Sequence, residues 1–163
     1  MYLLCTDGVA EFDLATQRFK TLLQGNVDAI YFNEKLYIGK REEVFVYNES
    51  TGNFDLFYHL AGKNITLSCL HLDKNKNLWL GTTSNGIYCL SEDKNLSRPV
   101  TKGNITSIYE DSSNELWIGS WEEGLYRVKT DGSIENLRHN PMNTNSLCSV
   151  SYTHLTLPTN SRV

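Results

Sequence analysis

A four-residue segment, aliphatic–aromatic–aliphatic–glycine, recurs along the chain and restricts its fold more than any other feature. It reads Leu78-Trp79-Leu80-Gly81 and returns as Leu116-Trp117-Ile118-Gly119, and in both copies a Gly-aliphatic-Tyr triplet begins five residues after the glycine. Leu36-Tyr37-Ile38-Gly39 is a weaker copy, and Tyr2-Leu3-Leu4-Cys5 is a clipped copy in which we place Cys5 at the glycine position. Repeats of about 40 residues are typical of propellers and solenoids.

A second marker, an asparagine, precedes each of the three fuller copies. Asn26-Val27-Asp28, Asn64-Ile65-Thr66 and Asn104-Ile105-Thr106 match one another at spacings of 38 and 40 residues, and the three glycines are 42 and 38 residues apart. Because both markers recur at nearly the same interval, we place each asparagine triplet at the start of the first strand of a unit.

Each unit divides into short runs of strand-forming residues separated by turn formers. In the last full unit the runs are Ile105–Tyr109, Leu116–Gly119, Leu125–Val128 and Ser133–Leu137, and Asp131-Gly132 is a hairpin-type turn. Four short antiparallel strands in about 40 residues make one blade of a β-propeller. The sequence therefore predicts an all-β fold, a β-propeller of about four blades with four antiparallel strands each, in an incomplete ring.

The predicted partial propeller covers residues 1–149. Residues 150–163 break the repeat where another strand is due, and Val150–Thr159 resembles the translation of a sequencing adapter. We therefore expect residues 150–163 to be a non-native tail. A closed ring usually has 4–8 blades, so we expect the parent propeller to extend beyond this chain.

The recurring glycine and aromatic residues have a packing explanation. Gly39, Gly81 and Gly119 follow a large apolar residue on a strand between neighbouring blades, where a Cβ atom competes for space with the adjacent sheet. Trp79 and Trp117 supply large apolar area between sheets, and their identical placement favours core packing over ligand stacking.

Composition excludes several classes of partner. Lys and Arg number 15 against 19 Asp and Glu, so the net charge is −4, and no basic run suggests contact with nucleic acid. No apolar stretch reaches the roughly 18 residues of a transmembrane helix. Nine Tyr, six Phe and three Trp indicate a packed core.

Catalytic and metal-binding motifs are absent from the sequence. The histidines His59, His71, His139 and His154 are isolated, and no Cys-x-x-Cys spacing suggests zinc, so we predict no catalytic residue, no metal and no cofactor. Cys69 and Cys89 fall on the first and third strands of one blade, roughly 9–10 Å apart, which is too far for a disulfide.

The turns between second and third strands should share one face of the propeller with the connections that enter the next blade. Recognition residues usually lie in such loops on a rigid scaffold. Trp121 is the leading ligand-binding candidate, because an aromatic side chain stands there where other units have Arg41 or Thr83, and Glu122 and Arg41 are candidate hydrogen-bonding partners for sugar hydroxyls. The alternative is that Trp121 packs on the neighbouring blade. These turns are Lys40–Glu43, Thr82–Asn85 and Ser120–Glu123.

The last two units resemble the two-component-regulator propeller repeat. The resemblance rests on Asn104–Asp111, Leu116–Ser120 and Gly124–Tyr126, and on Arg138–Pro141 followed by Asn145–Leu147, which is similar to the link into a further blade. It implies the periplasmic, non-catalytic sensor region of a hybrid two-component histidine kinase that detects a small saccharide. The implied partners are the remaining blades, the membrane-anchored kinase of the parent chain and a second copy in a homodimer.

Two other functions remain open at this stage. A propeller-fold lyase or lactonase-type enzyme needs inward-facing acids or histidines, for which Asp28 and His71 are the available first-strand residues. A purely structural interaction propeller is the third possibility.

Overall fold

Strands form all the regular structure of the part of the chain that the structure describes. A computed structural model describes residues 1–5, 7–60, 65–97 and 99–138, together with the backbone of two short strands near the C-terminus. The strands are β1 (Tyr2–Cys5), β2 (Gly8–Asp13), β3 (Arg18–Gln24), β4 (Ala29–Asn33), β5 (Lys35–Lys40), β6 (Glu43–Asn48), β7 (Asn53–His59), β8 (Leu67–Leu72), β9 (Leu78–Thr82), β10 (Ile87–Leu90), β11 (Ile105–Glu110), β12 (Leu116–Ser120), β13 (Gly124–Val128), β14 (Ile134–Leu137), β15 (Cys148–Ser149) and β16 (Leu155–Thr156).

Four small antiparallel sheets follow one another along the chain, each with its strands in sequence order. Strands β1–β3, β4–β7, β8–β10 and β11–β14 form the first to fourth sheets. In the third sheet the outer strand is reduced to a Leu90–Leu96 bridge and to hydrogen bonds in which Ser97 N and Val100 N donate to Cys89 O and Ile87 O. The all-β, unclosed propeller prediction is confirmed, although only the second and fourth blades have four regular strands.

Three apolar clusters lie between successive blades. The inner strands β4, β8 and β11 contact one another in order, so the sheets are arranged radially. The clusters centre on Val9, Leu36 and Ile38 between blades one and two, on Tyr37, Leu67, Leu78 and Leu80 between blades two and three, and on Trp79, Ile87, Ile105 and Ile118 between blades three and four. Side chains that point forward from one blade therefore meet those that point backward from the next.

Gly81 lies where two blades approach most closely. A Cβ atom there would lie 2.4 Å from Cys69 Sγ and 2.9 Å from Ile105 Cγ2 of the next blade. At Gly39 the Cβ would lie 3.1 Å from Leu67 Cδ1 of the next blade. The packing explanation for these two glycines is confirmed. At Gly119 the nearest atom belongs to its own blade, at 2.5 Å from Ser107 Oγ.

Trp79 and Trp117 are each held by an aspartate six residues earlier, which sequence reasoning missed. The Nε1 of Trp79 donates to Asp73 Oδ2 at 2.8 Å, and the Nε1 of Trp117 donates to Asp111 Oδ2 at 2.8 Å. Trp79 is buried in the third interface, as predicted for a core residue. Trp117 is half-buried on the forward face of the fourth blade, with the Arg127 guanidinium carbon 5.2 Å from its ring centroid.

The asparagine markers are not structurally equivalent in all units. Strand pairing places Cys69 opposite Gly81 and Ser107 opposite Gly119, a shift of 38 residues. By that shift the residue equivalent to Asn104 is Thr66, and the matching of Asn64 with Asn104 is wrong by two residues. Asn64 itself lies outside the described residues. The repeated triplet misled because local identity does not fix hydrogen-bond register.

Cys5 is also not the residue at the glycine position. Equivalent positions near the start of the third strand of each blade are Val9, Val44, Ile87 and Leu125, and their partners are Leu4, Gly39, Gly81 and Gly119. Leu4 therefore replaces the glycine in the first blade, which also lacks an inner strand. The prediction failed by one residue because the first turn is shorter than those of the third and fourth blades.

The predicted positions of Cys69 and Cys89 are confirmed, because β9 lies between their strands and both thiols are free. Burial raises the pKa of each thiol to about 11. The predicted tail, residues 150–163, lies outside the described residues apart from the backbone pairing of β16 with β15.

Candidate functional site

The turns between second and third strands share a face with the connections into the next blade. Leu67 N, which starts β8, donates to Arg41 O at 2.9 Å. Trp121 N in the fourth blade donates to Asn104 O at 2.9 Å, at the start of its own inner strand. These bonds tie each turn to an inner-strand start, so the expected common face exists.

Trp121 is the most exposed large apolar residue of this face. Its side chain is 74% exposed, while its backbone is fixed by the bond to Asn104. No described neighbour covers the indole, so it does not pack on the third blade. The adjacent Glu122 is also exposed. The turn thus presents a flat apolar ring beside a carboxylate.

Arg41 lies on the same face but on the second blade. Its backbone has a positive φ of 53° and its N–H donates to Asp28 Oδ2 at 2.5 Å, which fixes the turn. The third blade, with its turn at Thr83, stands between Arg41 and Trp121. Within the described ranges no hydrogen bond or ion pair joins the Arg41 side chain to Trp121 or Glu122. The three predicted site residues therefore share a face without forming one cluster.

Two buried hydroxyls were not predicted from the sequence, and one of them belongs to Ser120, which directly precedes Trp121. Ser120 Oγ and Thr101 Oγ1 are buried without a hydrogen-bond partner in the part of the chain that the structure describes. At the position equivalent to Ser120, Thr82 Oγ1 donates to Gly86 O at 2.7 Å. The available signal was the small polar residue that follows the glycine in both units.

Gly103 lies beside the Ser120 hydroxyl. A Cβ at Gly103 would lie 3.3 Å from Ser120 Oγ and 3.4 Å from Glu123 Cγ. Glu123 forms an ion pair with Arg138. The turn at Trp121 thus presents an exposed ring beside the exposed carboxylate of Glu122, while the Ser120 hydroxyl next to them is buried.

A groove of about 480 Å³ lies on the same face at the first blade. It is lined by the turn after β1 and by the connection that leads into β4, including Asp7, Gly8, Gly25 and Asn26. Gly25 N donates to Asp7 O at 2.9 Å across it. This groove therefore lies on the first blade, whereas Trp121 stands exposed on the fourth.

His71 lies at the far end of the inner strands. Its Nε2 is 3.7 Å from Glu110 Oε2 of the next blade, too long for a hydrogen bond, and its ring meets Tyr31 edge-on at 5.2 Å. Burial lowers the pKa of His71, and Glu110 opposes that shift. Asp28, the other first-strand candidate, is engaged by the Arg41 N–H, so the two do not form a catalytic pair.

Two negative findings concern the described residues alone. They contain no group of three or more His, Cys, Asp or Glu side chains arranged to hold a metal ion. Nor do they include a helix of the length and apolarity required to cross a membrane.

Three solved structures with similar folds are large proteins of which this chain spans a fifth to a half. The extracellular domain of BT4673 from B. thetaiotaomicron, described as a one component system, matches with TM-score 0.73 and 19% identity over 90% of this chain and 22% of that one. The extracellular domain of BT3049 from the same organism, described as a hybrid two component system, matches with TM-score 0.67 and 22% identity over 85% and 20%. Virginiamycin B lyase from Staphylococcus aureus matches with TM-score 0.67 and 15% identity over 87% and 52%.

At 15–22% sequence identity, the similarity to these structures establishes the fold alone. A search of curated protein sequences finds no match. The family described as "Two component regulator propeller" matches residues 59–84 and 99–122, which include the repeats built on Trp79 and Trp117. Two segments of the chain therefore match the two-component regulator propeller repeat, and they lie in a partial β-propeller.

Proposed function

We propose that this chain is a section of the extracytoplasmic, non-catalytic sensor of a hybrid two-component histidine kinase. The proposal is supported by the propeller repeats and by the fold shared with extracellular domains of proteins described as two component systems. On this proposal the sensor lies in the periplasm, and the kinase belongs to the parent chain.

The proposed ligand is a small saccharide bound at the face that carries Trp121. The observation that carries this step is the 74% exposed indole on a turn whose backbone is fixed. An aromatic face stacks on the C–H groups of a sugar ring, while the exposed carboxylate of Glu122 accepts hydrogen bonds from its hydroxyls. Arg41 contacts only a ligand long enough to pass the third blade.

Signalling requires that the saccharide favours one arrangement of the parent sensor over another. A homodimer of the parent, with blades outside this chain, is the proposed assembly in which that preference reaches the kinase. Binding at Trp121 is then necessary for signalling, while the chain itself carries out no chemistry.

Titration of the full chain with defined neutral oligosaccharides tests the binding step. We expect at least one of xylobiose, cellobiose, mannobiose and galactobiose to protect Trp121 from acrylamide quenching, and Trp121→Ala to lower the affinity at least tenfold. Tyr109→Ala removes another exposed aromatic of the same blade and should leave the affinity unchanged.

Two outcomes contradict the proposal. Equal losses from both variants show that binding is not located at Trp121, and no protection by any sugar at 20 mM shows that this face is not a saccharide site. Cleavage of a bound sugar, followed by chromatography, favours the enzyme alternative instead.

A further inference from the structure

We propose that His71 and Glu110 form a proton-operated contact between the third and fourth blades, which is open while His71 is neutral and closes to a hydrogen bond when His71 is charged. The two residues lie near the ends of the adjacent inner strands β8 and β11. His71 Nε2 is 3.7 Å from Glu110 Oε2 and is buried without a hydrogen-bond partner among the described residues. The two groups therefore face each other at a distance slightly too long for the bond.

The preceding blade interface shows the same contact in a closed form. Tyr31 is equivalent to His71, because each pairs with the aromatic residue of its own repeat. Leu72 is equivalent to Glu110, because each pairs with the leucine that begins the next strand. Tyr31 Oη donates to Leu72 O at 3.1 Å and so joins the second blade to the third. The imidazole is shorter than the phenol ring, and where it replaces the tyrosine the facing leucine is replaced by an acid.

Burial determines when this contact closes. The side chains of His71 and Glu110 are only 14% and 9% exposed, so neither group keeps its full hydration. Burial lowers the pKa of His71, whereas Glu110 and, more weakly, Asp73 raise it. The neutral imidazole therefore prevails at pH 7.5, and His71 takes up a solvent proton only below about pH 6.5. A charged Nε2–H donates to a carboxylate at about 2.7–2.9 Å, which draws the two blades together.

The other groups around the imidazole do not compete for the proton. Aromatic rings, which carry no charge, pack on β8 from neighbouring strands: Tyr31 of β4, Tyr37 of β5 and Trp79 of β9. Asp73 follows β8, but its carboxylate oxygens already accept hydrogen bonds from Asn77 and from the Trp79 indole. Within the described ranges, Glu110 is therefore the acceptor for a charged His71, and the fit between the third and fourth blades depends on acidity.

A double-mutant cycle of His71→Gln and Glu110→Gln in the full chain tests the proposal by urea unfolding at pH 7.5 and 5.0. We expect the interaction between the two residues to change the unfolding equilibrium constant by about fivefold or more at pH 5.0, and by less than about twofold at pH 7.5. Because the cycle subtracts the effect of each single substitution, a general loss of stability does not mimic this result.

NMR titration of the His71 ring is a second measurement. Glu110→Gln should lower the pKa of His71 further, because it removes the carboxylate that favours the charged imidazole. Glu135→Gln is the matched control, since it removes a carboxylate from the outer strand β14 of the same blade. It should leave the pKa of His71 unchanged.

His71→Tyr introduces the residue of the equivalent position in the second blade, whose hydroxyl gains no charge as the pH falls. In a cycle with Glu110→Gln, the interaction of this residue should be the same at both pH values. The proposal is overturned if the interaction of His71 with Glu110 is equal at pH 5.0 and 7.5. It is also overturned if Glu110→Gln and Glu135→Gln change the pKa of His71 alike.

Discussion

Replacing Gly81 by alanine should destabilise the protein because the new Cβ enters a closed space between two blades. It would stand 2.4 Å from Cys69 Sγ and 2.9 Å from Ile105 Cγ2. Overpacking of this kind costs about 1–3 kcal/mol, while the smaller entropy of the unfolded alanine chain returns about 0.4–1 kcal/mol. With central values of about 2 and about 0.7 kcal/mol for these two contributions, the expected net loss is about 1.3 kcal/mol.

Gly39→Ala is the matched control. Its Cβ would meet Leu67 and Ala29 at 3.1–3.2 Å, so a displacement of a few tenths of an ångström accommodates it. We therefore expect its stability to remain within about 1 kcal/mol of the parent chain, as the entropy gain offsets the closer contact. Cys69→Ala in the Gly81→Ala background removes the nearest atom and should recover part of the loss.

Urea unfolding followed by circular dichroism measures these differences. For a slope of about 2 kcal/mol/M, a loss of 1.5 kcal/mol lowers the midpoint by about 0.75 M. If Gly81→Ala is as stable as the parent chain, or Gly39→Ala costs more, the close approach of the blades does not explain the recurring glycine.

Two predictions concern titratable groups. Burial lowers the pKa of His71 despite the neighbouring Glu110, so the unfolded chain binds the proton more tightly than the folded chain does. The free energy of unfolding should therefore fall as the pH drops below about 6.5. Urea titrations between pH 7.5 and 5 measure this dependence, which His71→Gln should make weaker. The pKa values near 11 at Cys69 and Cys89 leave little thiolate at pH 8. Exposed Cys5 should therefore react with iodoacetamide at least tenfold faster, as peptide mass mapping can show; equal rates would contradict the burial.

The architecture was predictable because the packing requirement repeats with the sequence. Gly81 and Trp79 mark a strand that faces a neighbouring blade, and Gly39 and Tyr37 meet the same requirement in the second blade. The asparagine triplets carry no such requirement, so their similarity did not reveal that Thr66, rather than Asn64, corresponds to Asn104. Register depends on hydrogen bonds and turn lengths, which vary between units.

The first blade gives a second example of a strand register that the sequence does not reveal. The sequence favours Cys5 at the glycine position because Tyr2–Cys5 matches the four-residue segment that ends in glycine in the other units. The pairing of Leu4 with Val9 depends on a shorter turn, which no local composition reveals. The hydrogen bonds from Trp79 and Trp117 to aspartates six residues earlier were likewise missed, since acidic residues in turns are commonly solvated.

The candidate site was less predictable than the fold because its residues belong to different blades. That Trp121 lies in a turn followed from the repeat, but its exposure depends on what packs beside the turn. Arg41 and Trp121 were predicted on one face, and the structure places them there with the third blade between them. Residues on a shared face point in the same direction, but the distance between them depends on the order of their blades.

The recurring positions of the repeat are therefore those that pack between blades, and the positions that differ between units lie in the exposed turns. Trp79 and Gly81 face the next blade and recur, whereas Arg41, Thr83 and Trp121 occupy equivalent positions of the exposed turn and differ in size, charge and polarity. Substitution of an exposed turn residue usually changes stability by less than about 0.5 kcal/mol. Each turn can thus acquire a binding group without loss of packing between the blades. For this reason the positions that differ between units indicate candidate recognition residues better than the positions that recur.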